Sequence, residues 1–255
     1  MMIITISNNK GGVGKTALAA HLVFRAAESM PVLAIDLDSQ SNLTATLIER
    51  GSRRSQGTAE QLFTEIEAPE PMPTADPNIY LLPASAGLTG VDRLNLSAGF
   101  MAVNHIKNLG KTFRLIVIDT APALGMRLTA ALACSHRVVV PLVPESYAVD
   151  GVGTILSEIA TIGENLNPAM RHQADFVINL VNPQARQHRI TAAHIAGNFT
   201  VLMPCLNRSV AVADALSERR PVWRKPSSKK AAAQWRALCD NLLTQYGVLQ
   251  PVSGT

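Results

Sequence analysis

The chain predicts an α/β fold, a doubly wound and mostly parallel sheet with helices on both faces. Three observations predict it. Short apolar, β-rich runs recur along the sequence, helix-compatible stretches separate them, and a glycine-rich turn bearing lysines joins the first run to the first helix. With 255 residues, 47% of them hydrophobic and 16% charged, the chain has enough apolar mass for a sizeable core.

The elements follow in order. Met1-Met2-Ile3-Ile4-Thr5-Ile6-Ser7 is too short and too uncharged for a secretory signal, and Ile3–Ser7 reads as a first strand. Val32–Asp36, Ile79–Leu82, Leu115–Asp119, Val138–Val143, Phe176–Leu180 and Thr200–Met203 continue the series. Their near-continuous apolar character is that of parallel strands covered on both faces. Thr16–Glu28, Gly151–Ile162 and Ile190–Gly197 are helix-compatible stretches between them. Gly51–Asn78 carries Glu-Ala-Pro-Glu-Pro-Met-Pro and few large apolar residues, and reads as a surface connection with a short helix near Ala59–Ile66. A last helix starts near Ser228, with Trp235, Leu238, Cys239, Leu242 and Leu243 at helical spacing and Gly247 placed to end it. Residues 1–247 thus form a single domain, and residues 248–255 a frayed tail containing a proline.

Lys10-Gly11-Gly12-Val13-Gly14-Lys15-Thr16 lies where a strand passes into a helix, the context that gives a phosphate-binding loop its meaning. Gly11, Gly12 and Gly14 let successive N–H groups turn inward on a phosphate, and the helix adds its positive N-terminal end. Lys15 would neutralise β- and γ-phosphate charge, and the Thr16 hydroxyl would ligate Mg²⁺. The general P-loop pattern has glycine where this chain has Asn9, and the departure comes with the extra Lys10. Leu115–Asp119 is a buried strand closed by a carboxylate, the place of a metal-holding acid, usually acting through water. Val32–Asp36 runs into Asp36-Leu37-Asp38 at the same side of the sheet. One of Asp36 and Asp38 can organise the metal site while the other positions an attacking water; Asp38 or Ser39 serving only as a helix cap is the alternative.

Together these segments resemble the ParA/MinD family of deviant Walker ATPases, and more closely its ParA branch. Lys10–Thr16 matches K-G-G-V-G-K-T in full. Asp36-Leu37-Asp38-Ser39-Gln40-Ser41-Asn42 matches D-x-D-P-Q-x-N with Ser39 for proline, and Asp119-Thr120-Ala121-Pro122-Ala123-Leu124-Gly125 matches D-x-P-P-x-L-G with Ala121 for the first proline. Val139–Glu145 is similar to the strand and loop that follow. The resemblance covers most of the chain. It implies a P-loop NTPase fold, ATP and Mg²⁺ as ligands, and a homodimer that sandwiches two ATP molecules. In that dimer Lys10 reaches the partner's phosphates, Lys15 acts within its own subunit, Asp38 orients the hydrolytic water and Asp119 is the Walker B acid. Thr120, beside it, joins the nucleotide-binding set, Asp36 joins Thr16 and Asp119 around the metal, and Asn179 contacts the adenine, unless it is only a turn former.

The ParA branch binds DNA without sequence preference, whereas the MinD branch binds membrane through a C-terminal amphipathic helix. Between Arg219 and Lys230 the basic residues Arg219, Arg220, Arg224, Lys225, Lys229 and Lys230 occur without an acid. Such a cluster can contact phosphates non-specifically, with affinity that falls as salt rises; a merely solvated loop is the plain alternative. Arg208 resembles an arginine preceding this region in ParA relatives. The final helix has its apolar stripe committed to a core and is followed by a polar tail, which argues against membrane binding. Cys134, Cys205 and Cys239 are far apart and unpaired in sequence, against an iron–sulfur carrier and consistent with reduced cytoplasmic thiols. An amidoligase would share the loop, but nothing marks a small-molecule acid site.

The expectation is therefore a cytoplasmic ParA-like ATPase, nucleoid-associated when ATP-bound, weakly active alone and stimulated by a ParB-like or other adaptor. Its task would be the partition or positioning of plasmid, chromosomal or other cargo. A MinD-like positioning ATPase, or an orphan switch acting only on protein partners, are the alternatives.

Overall fold

The computed structural model describes residues 1–49, 57–145, 148–167, 174–225 and 228–250. Seven strands form one sheet: β1 Met2–Ile6, β2 Val32–Asp36, β3 Met72–Pro73, β4 Ile79–Leu82, β5 Leu115–Asp119, β6 Arg137–Leu142 and β7 Ala174–Ile178. Their order across the sheet is β3-β4-β2-β5-β1-β6-β7, and every pairing is parallel except that of β3 with β4. The helices are α1 Lys15–Ala27, α2 Asn42–Leu47, α3 Gln61–Thr64, α4 Leu88–Val91, α5 Leu96–Leu109, α6 Met126–Cys134, α7 Ala148–Asn165, α8 Arg186–Asn198, α9 Val210–Ser217 and α10 Lys229–Gln245, with one 3-10 turn at Val222–Arg224.

The apolar strands serve two cores at once. In β5, Leu115 and Val117 pack with α1 and α10, while Ile116 and Ile118 pack with α5 and α6 on the opposite face. Val32 and Ala34 divide from Leu33 and Ile35 in β2 in the same way. Alternate residues of a strand point to opposite faces, so both sets must be apolar when both faces are covered. A third cluster lies under α7, joining Val152, Ile155, Ile159 and Ile162 to Val138, Val140, Phe176 and Ile178.

Helix α10 buries Trp235, Leu238, Cys239, Leu242 and Leu243 against α1, so its apolar stripe belongs to the core. Each such large side chain contributes roughly 1.5–3 kcal/mol on burial. The helix ends at a left-handed Gly247 with φ 69°, as a glycine stop requires. The expected frayed tail does not start at residue 248: Val248 is buried, Leu249 packs against the same cluster, and both N–H groups bond to Leu243 O. The rest of that tail, 251–255, lies outside the described residues.

Two further expectations change. Thr200–Met203 is not a strand but a segment beside β7, held by hydrogen bonds from Phe176 N to Thr200 O and from Leu202 N to Phe176 O. Pro204 follows at once and brings no N–H to continue a ladder. The connection over Gly51–Asn78 contains β3 as well as α3, and its residues 51–56 lie outside the described residues.

Candidate nucleotide and metal site

Asp36 and Asp119 are register partners at the ends of β2 and β5, and Asp119 also pairs with Ile6 at the end of β1. Adjacent strand ends thus bring the glycine loop and the acids to one edge, beyond the carboxyl ends of parallel strands where such folds bind ligands.

The loop is built for close backbone approach. Gly12 and Gly14 have φ of 73° and 94°, and Gly14 sits at the N-cap of α1. Asn8 anchors the start of the loop, its Nδ2 donating to Pro141 O at 2.8 Å and its Oδ1 accepting from Lys10 N at 2.8 Å. Lys15 is buried, and its Nζ donates to Asn8 O (3.0 Å) and Lys10 O (3.2 Å). Burial lowers its pKa, opposed by the negative charges of Asp119 and Asp38. An ammonium stripped of water and tied only to two carbonyls is held ready for a multiply charged anion.

Thr16 Oγ1 donates to Asp119 Oδ2 at 2.7 Å, while Asp119 Oδ1 is buried with no hydrogen-bond partner. Burial first, and then the charge of Asp36, push the Asp119 pKa well above the ordinary carboxylate range, despite Thr16 and Lys15 pulling it down. An orphaned carboxylate oxygen beside a hydroxyl suits a hard divalent cation, which takes oxygen ligands. Among the described residues no group of three or more His, Cys, Asp or Glu side chains could hold a metal by itself. The donor set therefore suits an ion that shares its coordination with substrate phosphates and water, as Mg²⁺ does.

Asp36 departs from its expected metal role. Its Oδ2 accepts from Thr44 N (2.8 Å) and Thr44 Oγ1 (2.7 Å), and its Oδ1 accepts from Asp38 N (3.1 Å). Fully buried and engaged at both oxygens, it orders the loop and α2 rather than presenting an atom to a metal. Burial raises its pKa to about 6 against those hydrogen bonds, with the Asp38 charge adding to the rise. Asp38 itself is almost buried, and its Oδ1 accepts from Gln40 N at 3.0 Å.

Other expected residues are distributed as follows. Thr120 is buried with its Oγ1 donating to Ile6 O (2.9 Å), which ties the β5 end to the β1 end. Asn179 is buried beneath the loop, with Nδ2 donating to Val13 O (2.8 Å) and Oδ1 accepting from Leu180 N (2.8 Å). The second Nδ2 proton has no hydrogen-bond partner among the described residues. Lys10 stands apart from Lys15: its side chain is 57% exposed and is ion-paired with Glu145. Glu145 is correspondingly held below the usual carboxylate range, chiefly by Lys10.

A protein-family model described as "AAA domain" matches residues 1–172. Protein IncC of Escherichia coli is 30% identical over 266 residues, covering 98% of this chain and 71% of its own. The chain belongs to the ParA/MinD family of deviant Walker ATPases. Another relative is the chromosome-partitioning ATPase Soj of Thermus thermophilus, 27% identical over 245 residues and covered to 95% on both sides. Among solved structures, the ATP complex of a McdA variant from Cyanothece superposes with a TM-score of 0.83 at 21% identity, covering 99% of each chain. That likeness is one of fold.

The basic segment of this ParA/MinD chain packs on α1. Val222 N donates to His21 Nε2 (3.1 Å), and Trp223 Nε1 donates to Glu28 Oε1 (2.9 Å), so α1 itself carries this stretch. The acid-free reading of Arg219–Lys230 changes in three dimensions. Arg220 pairs with Glu218, and Lys225 with Glu218 and Asp214, because α9 and the turn after it fold those acids back onto the segment. Arg219 donates from Nε to Ile48 O (3.1 Å). Among the described residues Arg208, Arg224, Lys229 and Lys230 have no acidic partner, and all four are exposed.

Sequence reasoning missed Asn8, Thr44 and Arg127 as parts of the site. Arg127 carried a legible signal: a cation in the first turn of an apolar helix sits badly with the helix dipole and calls for a nearby acid.

Proposed function

We propose that this protein is an ATP-hydrolysing switch of the ParA kind, whose ATP-bound homodimer holds DNA without sequence preference and releases it on hydrolysis. The observation that carries the reading is the division of labour between two lysines in one loop. Lys15 is buried and turned into its own site, whereas Lys10 is exposed at the rim on Glu145. In this reading Mg·ATP is bound with Thr16 and Asp119 around the metal, Thr120 and Asn179 bracing the nucleotide pocket, and Asp38 orienting the water. Lys10 exchanges Glu145 for the phosphates of the partner subunit's ATP. Preorganised positive charge matters most where phosphoryl transfer develops negative charge, so a site completed by a second subunit makes hydrolysis wait for dimerisation.

The roles named for Soj and IncC's place in the same family support a partition or positioning task, with an adaptor of the ParB kind stimulating slow hydrolysis. Arg208, Arg224, Lys229 and Lys230 are the strongest candidates for phosphate contact, with Arg219, Arg220 and Lys225 secondary because of their partners. That partial neutralisation is also what favours a second reading, a switch acting on protein partners alone. A membrane role has less support: no helix among the described residues is long and apolar enough to cross a bilayer, and the α10 stripe is buried. The cell compartment in this reading is the cytoplasm, with nucleoid association in the ATP state.

Co-sedimentation with random-sequence DNA and, separately, with anionic liposomes, each with ATP, ADP or no nucleotide, tests it. ATP-dependent DNA binding that weakens with salt is expected. Binding to liposomes alone moves the protein to a MinD-like role, and binding to neither favours the protein-only switch. Within the same assay Lys15→Ala abolishes nucleotide-driven dimerisation, and Asp38→Ala traps an ATP-bound dimer. An Asp38→Ala enzyme hydrolysing ATP at the wild-type rate removes Asp38 from its role.

A further inference from the structure

Arg127 is one of the few buried cations among the described residues, and it lies outside every motif discussed above. Its Nε and Nη2 donate to Asp92 Oδ2 at 3.0 and 2.6 Å, and its backbone N–H donates to Asp92 Oδ1 at 3.2 Å. Burial pushes the Asp92 pKa up, but these hydrogen bonds and the guanidinium charge outweigh it and hold the carboxyl below its ordinary range. Gly125 makes the approach possible, because a Cβ there would lie 2.6 Å from Asp92 Oδ1.

The remaining arm of the guanidinium points elsewhere. Nη1 donates to Leu37 O at 2.9 Å. The peptide that joins Leu37 to Asp38 is thereby held at both ends, its oxygen by Arg127 and its N–H by Asp36 Oδ1 at 3.1 Å. Leu37 N–H in turn donates to Asp119 O at 2.9 Å. A peptide plane fixed at oxygen and nitrogen leaves the following Cα little freedom, so the origin of the Asp38 side chain is set by Arg127 as much as by β2.

We propose that Arg127 is a positioning residue for hydrolysis, acting on Asp38 through the Leu37 carbonyl, with Asp92 as its buttress. The inference rests on the reading of Asp38 as the water-orienting acid. Its physical basis is the steep cost of misplacing a group at a reacting centre, where an error near 1 Å costs on the order of 100-fold in rate. The Arg127 side chain spends its hydrogen bonds on Asp92 and Leu37 O, so its loss is expected to separate turnover from substrate binding.

The test is steady-state ATP hydrolysis by Arg127→Leu and Arg127→Lys, with Asp38→Ala as the second arm of a double-mutant cycle. Arg127→Leu is expected to lower kcat by about 10-fold or more while KM stays within about 2-fold, and Arg127→Lys, which keeps one donor for Leu37 O, to recover part of the loss. In the Asp38→Ala background Arg127→Leu brings no further loss. Additive losses, or wild-type kcat in Arg127→Leu, overturn the proposal. Hydrogen exchange over residues 37–44 in the nucleotide-free protein provides a readout independent of activity. Faster exchange in Arg127→Leu and intermediate exchange in Arg127→Lys are expected, and unchanged exchange overturns the proposal even if Asp38 proves to have another role.

Discussion

The amide of Asn179 occupies the place that a side chain on Gly14 would need. A Cβ at Gly14 would lie 2.3 Å from Asn179 Nδ2, the same nitrogen that donates to Val13 O at 2.8 Å. The end of β7 thus braces the phosphate loop from beneath, and the glycine is required both for its left-handed backbone and for this contact.

Asn179→Ala should therefore loosen the loop without emptying it of lysines. Losing one buried hydrogen bond and leaving Val13 O unpaired costs about 1–3 kcal/mol. ATP affinity by calorimetry is expected to fall, roughly 2- to 150-fold if half or more of that cost is felt in binding. Gly14→Ala should abolish binding, and Gly14→Ala with Asn179→Ala should not restore it, since the φ of 94° remains. Restored binding in the double variant would show that only the clash mattered.

Lys10 is held in an ion pair with Glu145, which would have to open for the proposed reach of Lys10 to a partner subunit. Both members are about half exposed, so the bond is weak, roughly 0–1 kcal/mol. Glu145→Gln should accordingly lower the ATP concentration needed for dimerisation, by no more than about 5-fold, in light scattering or sedimentation. A raised threshold would mean that Glu145 contributes to the dimer instead of restraining Lys10.

Asp119 combines a fully buried carboxylate, an unpaired oxygen and a neighbouring acid in Asp36. Asp119→Asn removes a buried charge, and the nucleotide-free protein should become more stable by about 1–3 kcal/mol in urea denaturation. The stabilisation that Mg·ATP brings should vanish in the same variant. Loss of stability without ligand would show that Asp119 is offset better than its surroundings indicate.

His21 links α1 to the basic segment and is fully buried, with Trp235 and Trp223 ring centroids 4.3 and 5.4 Å away. Burial lowers its pKa from 6.5 to about 4, against the hydrogen bond to Ala17 O. The unfolded chain binds the proton first as pH falls. The contribution of neutral His21 is thus complete above pH 6.5 and drains away towards pH 4, about 3 kcal/mol in all. Asp36 moves in the opposite sense over part of this window, since its raised pKa of about 6 favours the folded state as it protonates. The comparison with His21→Gln cancels that background: the wild-type advantage should shrink between about pH 7 and about pH 4.5. A difference that stays constant with pH would rule out the titration of His21 as its source.

Much of this was legible in the chain because local and global preferences agree there. Lys10–Thr16 needs only a strand before it and a helix after it, and the strands carrying Asp36 and Asp119 are apolar on both faces wherever the sheet is covered. Legibility failed where long-range contacts decide. Asp36 and Asp38 are indistinguishable as acids closing a strand until Thr44 is seen to occupy both a backbone and a side-chain bond to Asp36. The basic stretch looks acid-free until Glu218 and Asp214 fold onto it.

The outermost strand has a consequence for how copies of this chain can meet. β3 is two residues long, runs against the rest of the sheet, and ends in Pro73, which has no N–H to offer. A long open strand there would invite neighbours to add on side by side without limit. The short proline-ended margin offers little backbone to extend, so growth of the sheet through this border is disfavoured.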